Sequence, residues 1–358
     1  MNLSKRYNFQ LTTLSPIHIG NGEELSPYSD YIYKNDYVYY IDFNKLEEFF
    51  KEQSNFDKLI DEYIKIINLQ ARTNLKGKQN IENFFERHGL EIESFSKLKV
   101  KASSKITQLI NQTINSSGFP YVSGSTLKGA IRTGILYKHI HSENLEPKGR
   151  SPYIGEDVFG NISDDRLKYL SVSDTNLTER ENIRVLKIVR YNLDKKKEDM
   201  PVILEVIKDN VSLNFTMDLK GNLEPRFDYL NEGNICKLLS IINEFSLECI
   251  NREIKELEKN KVNSIYSIIN FYHELKKDIL KIKDENNGAI FRIGAGKTFF
   301  ENSIGLALDD NELGKIIASE NKKGKIKRNK NFFPKTRAFA IEGDKYNKVL
   351  GWVKINLK

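Results

Sequence analysis

Four sets of residues have the types and spacing to do chemistry. The first lies in segment 121–141, YVSGSTLKGAIRTGILYKHIH. A Gly-Ser turn there leads into a helical pattern, and Ser123 or Ser125 can cap the free N–H groups of its first turn. Gly124 removes side-chain bulk where those groups emerge, and a helix N-terminus carries about half a positive charge. Lys128 and Arg132 are four apart and share one face. The set can hold a phosphate; it also reads as a capped surface helix with two solvated cations.

The second set is Gly294-Ala295-Gly296-Lys297-Thr298, which looks like the end of a Walker A loop. A full GxxxxGK[ST] loop needs glycine at 291, where Phe291 stands, so an ATPase of that kind is rejected. With Arg292 and Lys297 beside it, the turn can still let an RNA backbone approach closely, or it is a plain β-turn. The third set is the bend 15–22, SPIHIGNG, with His18 and Gly20. An imidazole there could act as general base in RNA cleavage, with Lys128 or Lys297 stabilising the charge. A structural or RNA-contacting histidine is the other reading. The fourth set is the run 321–337, with eight basic residues and no acidic one, including Lys325, Lys327, Arg328 and Arg337.

Charge supports a polyanionic partner. The net charge is +7, and outside that run the basic and acidic residues nearly balance. The excess is thus concentrated in one stretch, as expected for a nucleic-acid contact. Lysines outnumber arginines 42 to 14, a bias an AT-rich genome would produce, so Arg132, Arg292 and Arg337 carry more weight than single lysines. A hydrophobic content of 39% is enough for a real core, and a mean hydropathy of −0.51 is not that of a disordered chain. No apolar run is long enough to span a bilayer, and the start MNLSKRYNFQ lacks an apolar signal segment, so a cytoplasmic protein without a membrane partner is expected. Cys236 and Cys249 cannot make a four-thiolate zinc site. His139 and His141 are two apart and make a poor metal pair. No carboxylates have a specific catalytic spacing. Neither a metal nor a cofactor is expected.

The elements that must position these residues mix strands and helices in groups. Strand-like patterns fall at 5–14, 167–176, 183–191, 289–293, 338–341 and 351–357. Hairpins are expected at 30–42, around Lys34-Asn35-Asp36, and at 202–219, around Lys208-Asp209-Asn210. The tyrosines of the first could stack on bases or cover a sheet face. Helical blocks fill 43–117 and 231–284. The helix after Gly124 buries Leu127, Ala130, Ile131, Gly134 and Ile135 as one stripe. Grouped rather than alternating elements indicate α+β. Split βαβ units of ferredoxin type fit two sheets with helical insertions. The expected units are 1–190 and 191–358.

The motifs in this order resemble the RAMP superfamily of CRISPR-associated proteins. They are Ser15-Pro16-Ile17-His18-Ile19-Gly20, Gly124-Ser125-Thr126-Leu127-Lys128-Gly129-Ala130-Ile131-Arg132, Phe159-Gly160, Ser173-Asp174 and Gly294-Ala295-Gly296. Within the superfamily, Glu24-Leu25-Ser26-Pro27, Pro334-Lys335-Thr336-Arg337 and Leu350-Gly351-Trp352-Val353-Lys354 resemble the fifth Csm subunit of type III-A effector complexes. The resemblance implies two ferredoxin-like (RRM-like) units. It implies a non-catalytic subunit that binds the 3′ region of the guide RNA, caps the filament of repeated backbone subunits and supports guide RNA maturation. The implied partners are guide RNA (crRNA), the other Csm subunits and host nucleases. The rival is a metal-independent guide-processing endoribonuclease using His18.

Overall fold

The computed structural model describes residues 4–73, 81–143, 155–259, 265–323, 333–343 and 345–358. It is a mixed α+β fold. Strand Lys5–Thr13 alternates as a half-buried strand must: Tyr7, Phe9, Leu11 and Thr13 are buried, while Arg6, Asn8, Gln10 and Thr12 face the other side. Strand Ser212–Leu219 repeats the pattern with Leu213, Phe215, Met217 and Leu219. The two pair antiparallel with Phe9 opposite Phe215, their rings stacked at 5.4 Å. They lie inside a five-stranded sheet in the order Gly288–Arg292, Trp352–Leu357, Lys5–Thr13, Ser212–Leu219, Leu170–Val172.

Helix Gly124–Glu143 packs under this sheet. Its expected stripe is observed: Leu127, Ile131, Gly134 and Ile135 are buried and Ala130 is partly so. Gly134 admits Phe245 of the neighbouring helix Ile235–Lys259; a Cβ would stand 3.5 Å from that side chain. The second helical block is realised as Ile235–Lys259 and Tyr266–Glu285.

A second sheet has the order Lys345–Lys348, Thr336–Glu342, Ile183–Asn192, Val202–Ile207, Ile110–Thr113, Gly20–Leu25. Two expectations need correction here. Strands Val202–Ile207 and Ser212–Leu219 are not a paired hairpin; the chain leaves one sheet at Ile207 and enters the other at Ser212. Thr13 pins that corner. Its hydroxyl donates to the Lys208 carbonyl and accepts from the Val211 N–H, both at 2.8 Å, and its carbonyl accepts from the Asn210 N–H at 2.7 Å. The expected boundary at 190/191 falls inside strand Ile183–Asn192, and both sheets take strands from either side of it. The chain therefore does not divide into two sequential sheets there.

The hairpin at 30–42 forms as expected, from Tyr31–Lys34 and Tyr37–Ile41. Ser96–Lys101 adds a third strand to it. Tyr31, Tyr39 and Tyr40 are buried and cover sheet faces, whereas Tyr33 and Tyr37 are partly exposed. Helices Phe43–Glu52, Phe56–Thr73 and Ile81–Arg87 follow, and Phe50, Tyr63, Phe84 and Phe85 form a core of their own. The first helical block stops there. Ser96–Lys101 and Ile110–Thr113, expected to be helical, are strands. The apolar positions of ITQLINQTI fit a helical period, but Ile110 and Thr113 are drawn inward by the second sheet. The Thr113 N–H donates to the buried Glu205 carboxylate at 3.0 Å.

Candidate nucleic-acid interface

All neighbouring strands of the five-stranded sheet are antiparallel. Lys5–Thr13, Leu170–Val172 and Gly288–Arg292 occupy alternate places, so they run the same way and end at one edge. The bend with His18 and Gly20 follows the first. Ser173-Asp174 follows the second. The turn Gly294-Ala295-Gly296 follows the third. The outer two lie roughly 20 Å apart, four strand spacings across the sheet.

Near the middle of that edge the bend and the turn are knitted together. The Ala295 N–H donates to the His18 carbonyl at 2.9 Å, and the Gly351 N–H to the Pro16 carbonyl at 2.9 Å. Gly294 has φ +64°, and a Cβ there would stand 2.3 Å from the His18 carbonyl oxygen, so no other residue fits without movement. Gly124 answers the same need at the far end. A Cβ would stand 2.3 Å from the Val172 carbonyl oxygen.

The helix start is already partly occupied. Asp174 Oδ1 accepts from the Gly124 N–H at 2.7 Å. The Ser123 and Thr126 hydroxyls share a hydrogen bond at 2.8 Å, and the exposed Ser125 donates to Ser123 at 3.2 Å. The open phosphate cradle expected at Gly124 is therefore corrected: the protein's own carboxylate takes the first donor, as an anion at a helix N-terminus should. Lys128 is half-buried and donates to the Leu170 carbonyl at 2.8 Å; burial lowers its ammonium pKa. Arg132 lies over the Phe159 ring at 4.9 Å, a cation–π contact that directs it toward its own protein.

Arg292 and Arg337 face inward. Arg292 is 7% exposed and donates through Nη1 to both Glu301 oxygens at 2.8 and 2.9 Å, and through Nε to the Leu350 carbonyl at 2.7 Å. Arg337 is 4% exposed, with Nε 2.6 Å from Glu253 Oε2 and Nη1 2.7 Å from the Pro334 carbonyl. Both hold elements together and are not presented to a ligand. Lys297 is half-buried, and burial lowers its pKa. Gly296, with φ +89°, packs against Leu350. Lys325, Lys327 and Arg328 lie outside the described residues.

His18 is buried, 7% exposed. Its Nδ1 is 2.7 Å from the Glu205 carbonyl oxygen, which can only accept, so Nδ1 carries the proton. Its Nε2 faces Gly20, where a Cβ would stand 3.2 Å away. Burial lowers its pKa, although the Glu205 carbonyl opposes that shift. The imidazole ties the bend to the second sheet. Among the described residues no group of three or more His, Cys, Asp or Glu could hold a metal ion, and no helix is long and apolar enough to cross a membrane.

Sequence reasoning missed the carboxylates that organise this region: Asp174 as a cap, and Glu205, Glu253 and Glu301 as buried partners. One signal was readable. Thr298-Phe299-Phe300-Glu301 has capping-box spacing, and the Thr298 N–H does donate to Glu301 at 2.6 Å.

The sequence matches the RAMP superfamily over residues 10–300. It is 26% identical to the "CRISPR system Cms protein Csm5" of Methanocaldococcus jannaschii, over 96% of this chain and 87% of that protein. It is 25% identical to the protein of the same name from Streptococcus thermophilus, over 61% of this chain and 66% of that protein. In fold it resembles a chain of the cryo-EM structure of the Csm-crRNA-target RNA ternary complex of a type III-A CRISPR-Cas system. That chain has TM-score 0.65 and 20% identity, with 99% of this chain and 100% of that one covered. The crystal structure of T.onnurineus Csm5 has TM-score 0.64 and 19% identity, with 96% and 99% covered. With 291 of its 358 residues inside the family match, the chain belongs to the RAMP superfamily.

Proposed function

We propose that this protein is a non-catalytic RNA-binding subunit of a type III-A Csm complex. It binds the 3′ region of the guide RNA, caps the filament of backbone subunits and supports guide RNA maturation in the cytoplasm. The observation that carries this reading is the single sheet edge at which the bend at His18 and Gly20, the Gly124 helix start and the Gly294–Gly296 turn collect. The names of the relatives and the complex containing the structural neighbour agree with it. On this edge Ser125, Lys128 and Lys297, with the backbone at Gly20, Gly294 and Gly296, face the RNA. Arg292 and Arg337 act from behind, as internal supports.

We also read the five-stranded sheet as ferredoxin-like. Its strands Lys5–Thr13, Leu170–Val172, Ser212–Leu219 and Gly288–Arg292, with helices Gly124–Glu143 and Ile235–Lys259 between them, follow the βαββαβ order, and Trp352–Leu357 is inserted between the fourth and the first. The second sheet is built from the connections of the first.

The test is a salt series of guide-RNA binding. Each phosphate contact to a single strand contributes about 0.7 to the slope of log K against log salt, so Lys128→Ala/Lys297→Ala should flatten it by about 1.4. An unchanged affinity and slope would remove this edge from the interface. The endoribonuclease reading is disfavoured by the burial of His18 and by the bond that fixes its ring. Defined cleavage of repeat RNA in EDTA, lost in His18→Ala, would restore it.

A further inference from the structure

The second sheet buries apolar side chains on both faces, and the second face is less completely covered. Val189, Tyr191, Phe339 and Ile341 lie beneath helices Ile235–Lys259 and Tyr266–Glu285. The opposite face carries Ile188, Leu204, Val206, Ala340 and the half-exposed Leu186 and Ala338. Only Ala295 and Leu350 reach it from outside the sheet's strands in that cluster. At one end of this face lies a cleft of about 250 Å³, roofed by residues that follow the three-stranded lobe.

The cleft is basic at its rim and aliphatic at its floor. Lys101, Arg184, Lys208 and Lys348 line it against Asp209 and Glu342. Asp209 is already paired with Lys348 at 2.8 Å, and Glu342 accepts from the Asn347 amide at 2.5 Å. Lys101 and Lys208 make no ion pair with a described residue. Arg184 is held in place because its Nη1 donates to the carbonyls of Ile183 at 2.7 Å and Glu181 at 2.9 Å. Leu186, Val206 and Ala340 form a floor with no aromatic ring.

We propose that this cleft is a phosphate subsite for single-stranded RNA, distinct from the glycine-bearing edge. The inference rests on the RNA-binding reading above and extends it to a second contact. Charge complementarity selects a polyanion. Continuity selects RNA over an acidic peptide: Pro16 of the first bend lines the cleft, and Ala295 of the glycine turn packs on the same sheet face. Lys208 and Arg184 line the same cleft as Pro16. The cations lining the cleft recognise phosphate charge and carry no base readout of their own, so binding through them is independent of sequence.

The experiment measures binding of a labelled single-stranded RNA to the full chain across a salt series. It compares the native protein, Arg184→Ala/Lys208→Ala and the edge variant Lys128→Ala/Lys297→Ala. The cleft variant should lose on the order of tenfold in affinity at low salt and flatten the slope by about 1.4, equally for unrelated RNA sequences. Lys101→Glu, at an exposed position, should weaken binding in the same direction and serves if the double variant does not fold. Affinity and slope unchanged in the cleft variants, with the edge variant weakened, overturn the cleft and leave the proposed function standing. No RNA binding by the native chain sinks that reading itself. Adenosine monophosphate or polyglutamate binding as tightly as the RNA would overturn RNA as the occupant.

Discussion

Arg292 shows how a residue type misleads when its partner is hidden. A glycine turn followed by cations reads as a phosphate site, because the sequence does not say which way a guanidinium points. The decisive groups are Glu301, nine positions on, and Glu253, which faces Arg337 from 84 positions away. Only the first left a trace, in its spacing from Thr298. A buried ion pair is weak evidence for stability, but breaking one strands a charge in a poor dielectric, at about 3–5 kcal/mol. Glu301→Gln should therefore destabilise the fold by an amount of that order, read as a drop in the urea midpoint with an unchanged slope. Replacing both partners, Arg292→Met with Glu301→Leu, should cost clearly less, since no unpaired charge remains. Equal losses in the two variants would mean that Arg292 is not held by this carboxylate.

At the scale of elements, helix Gly124–Glu143 was the most legible part of the chain. Its apolar stripe depends only on a 3.6-residue period, and the period survives any tertiary context. Its cap was not legible, because Asp174 comes from a strand end fifty residues later. Ile110–Thr113 failed for the opposite reason. Four residues are too short for a period to decide, and the Glu205 carboxylate and its sheet neighbours settled the matter. Losing a capping acceptor costs about 1 kcal/mol. Asp174→Ala should lower stability by about that amount, measured by denaturant unfolding, whereas Asp174→Asn should lose less because it keeps an acceptor. RNA affinity should not fall in Asp174→Ala, because the substitution removes a negative charge from the proposed edge. A fall would mean that the carboxylate contacts the ligand or its hydration shell.

At the scale of the whole molecule, the topology makes the glycine bends neighbours and denies the chain a simple division. The strand that begins the fold pairs with Ser212–Leu219 on one side and with Trp352–Leu357, at the far end of the sequence, on the other. Strand Ile183–Asn192 spans the expected 190/191 boundary and pairs with Val202–Ile207 and Thr336–Glu342. A linear reading sees strands and helices in order, but sheet membership is set by pairings hundreds of residues apart, which no local pattern encodes. Cutting at 190 removes both strand neighbours of Lys5–Thr13 and helix Ile235–Lys259, so the strand's buried Tyr7, Phe9 and Leu11 lose much of their cover. Residues 1–190 and 191–358, expressed separately, should each lack a cooperative unfolding transition, while the intact chain shows one over this shared core. Two independent transitions from the separate pieces would show that each carries its own core, and that the interleaved pairing is dispensable.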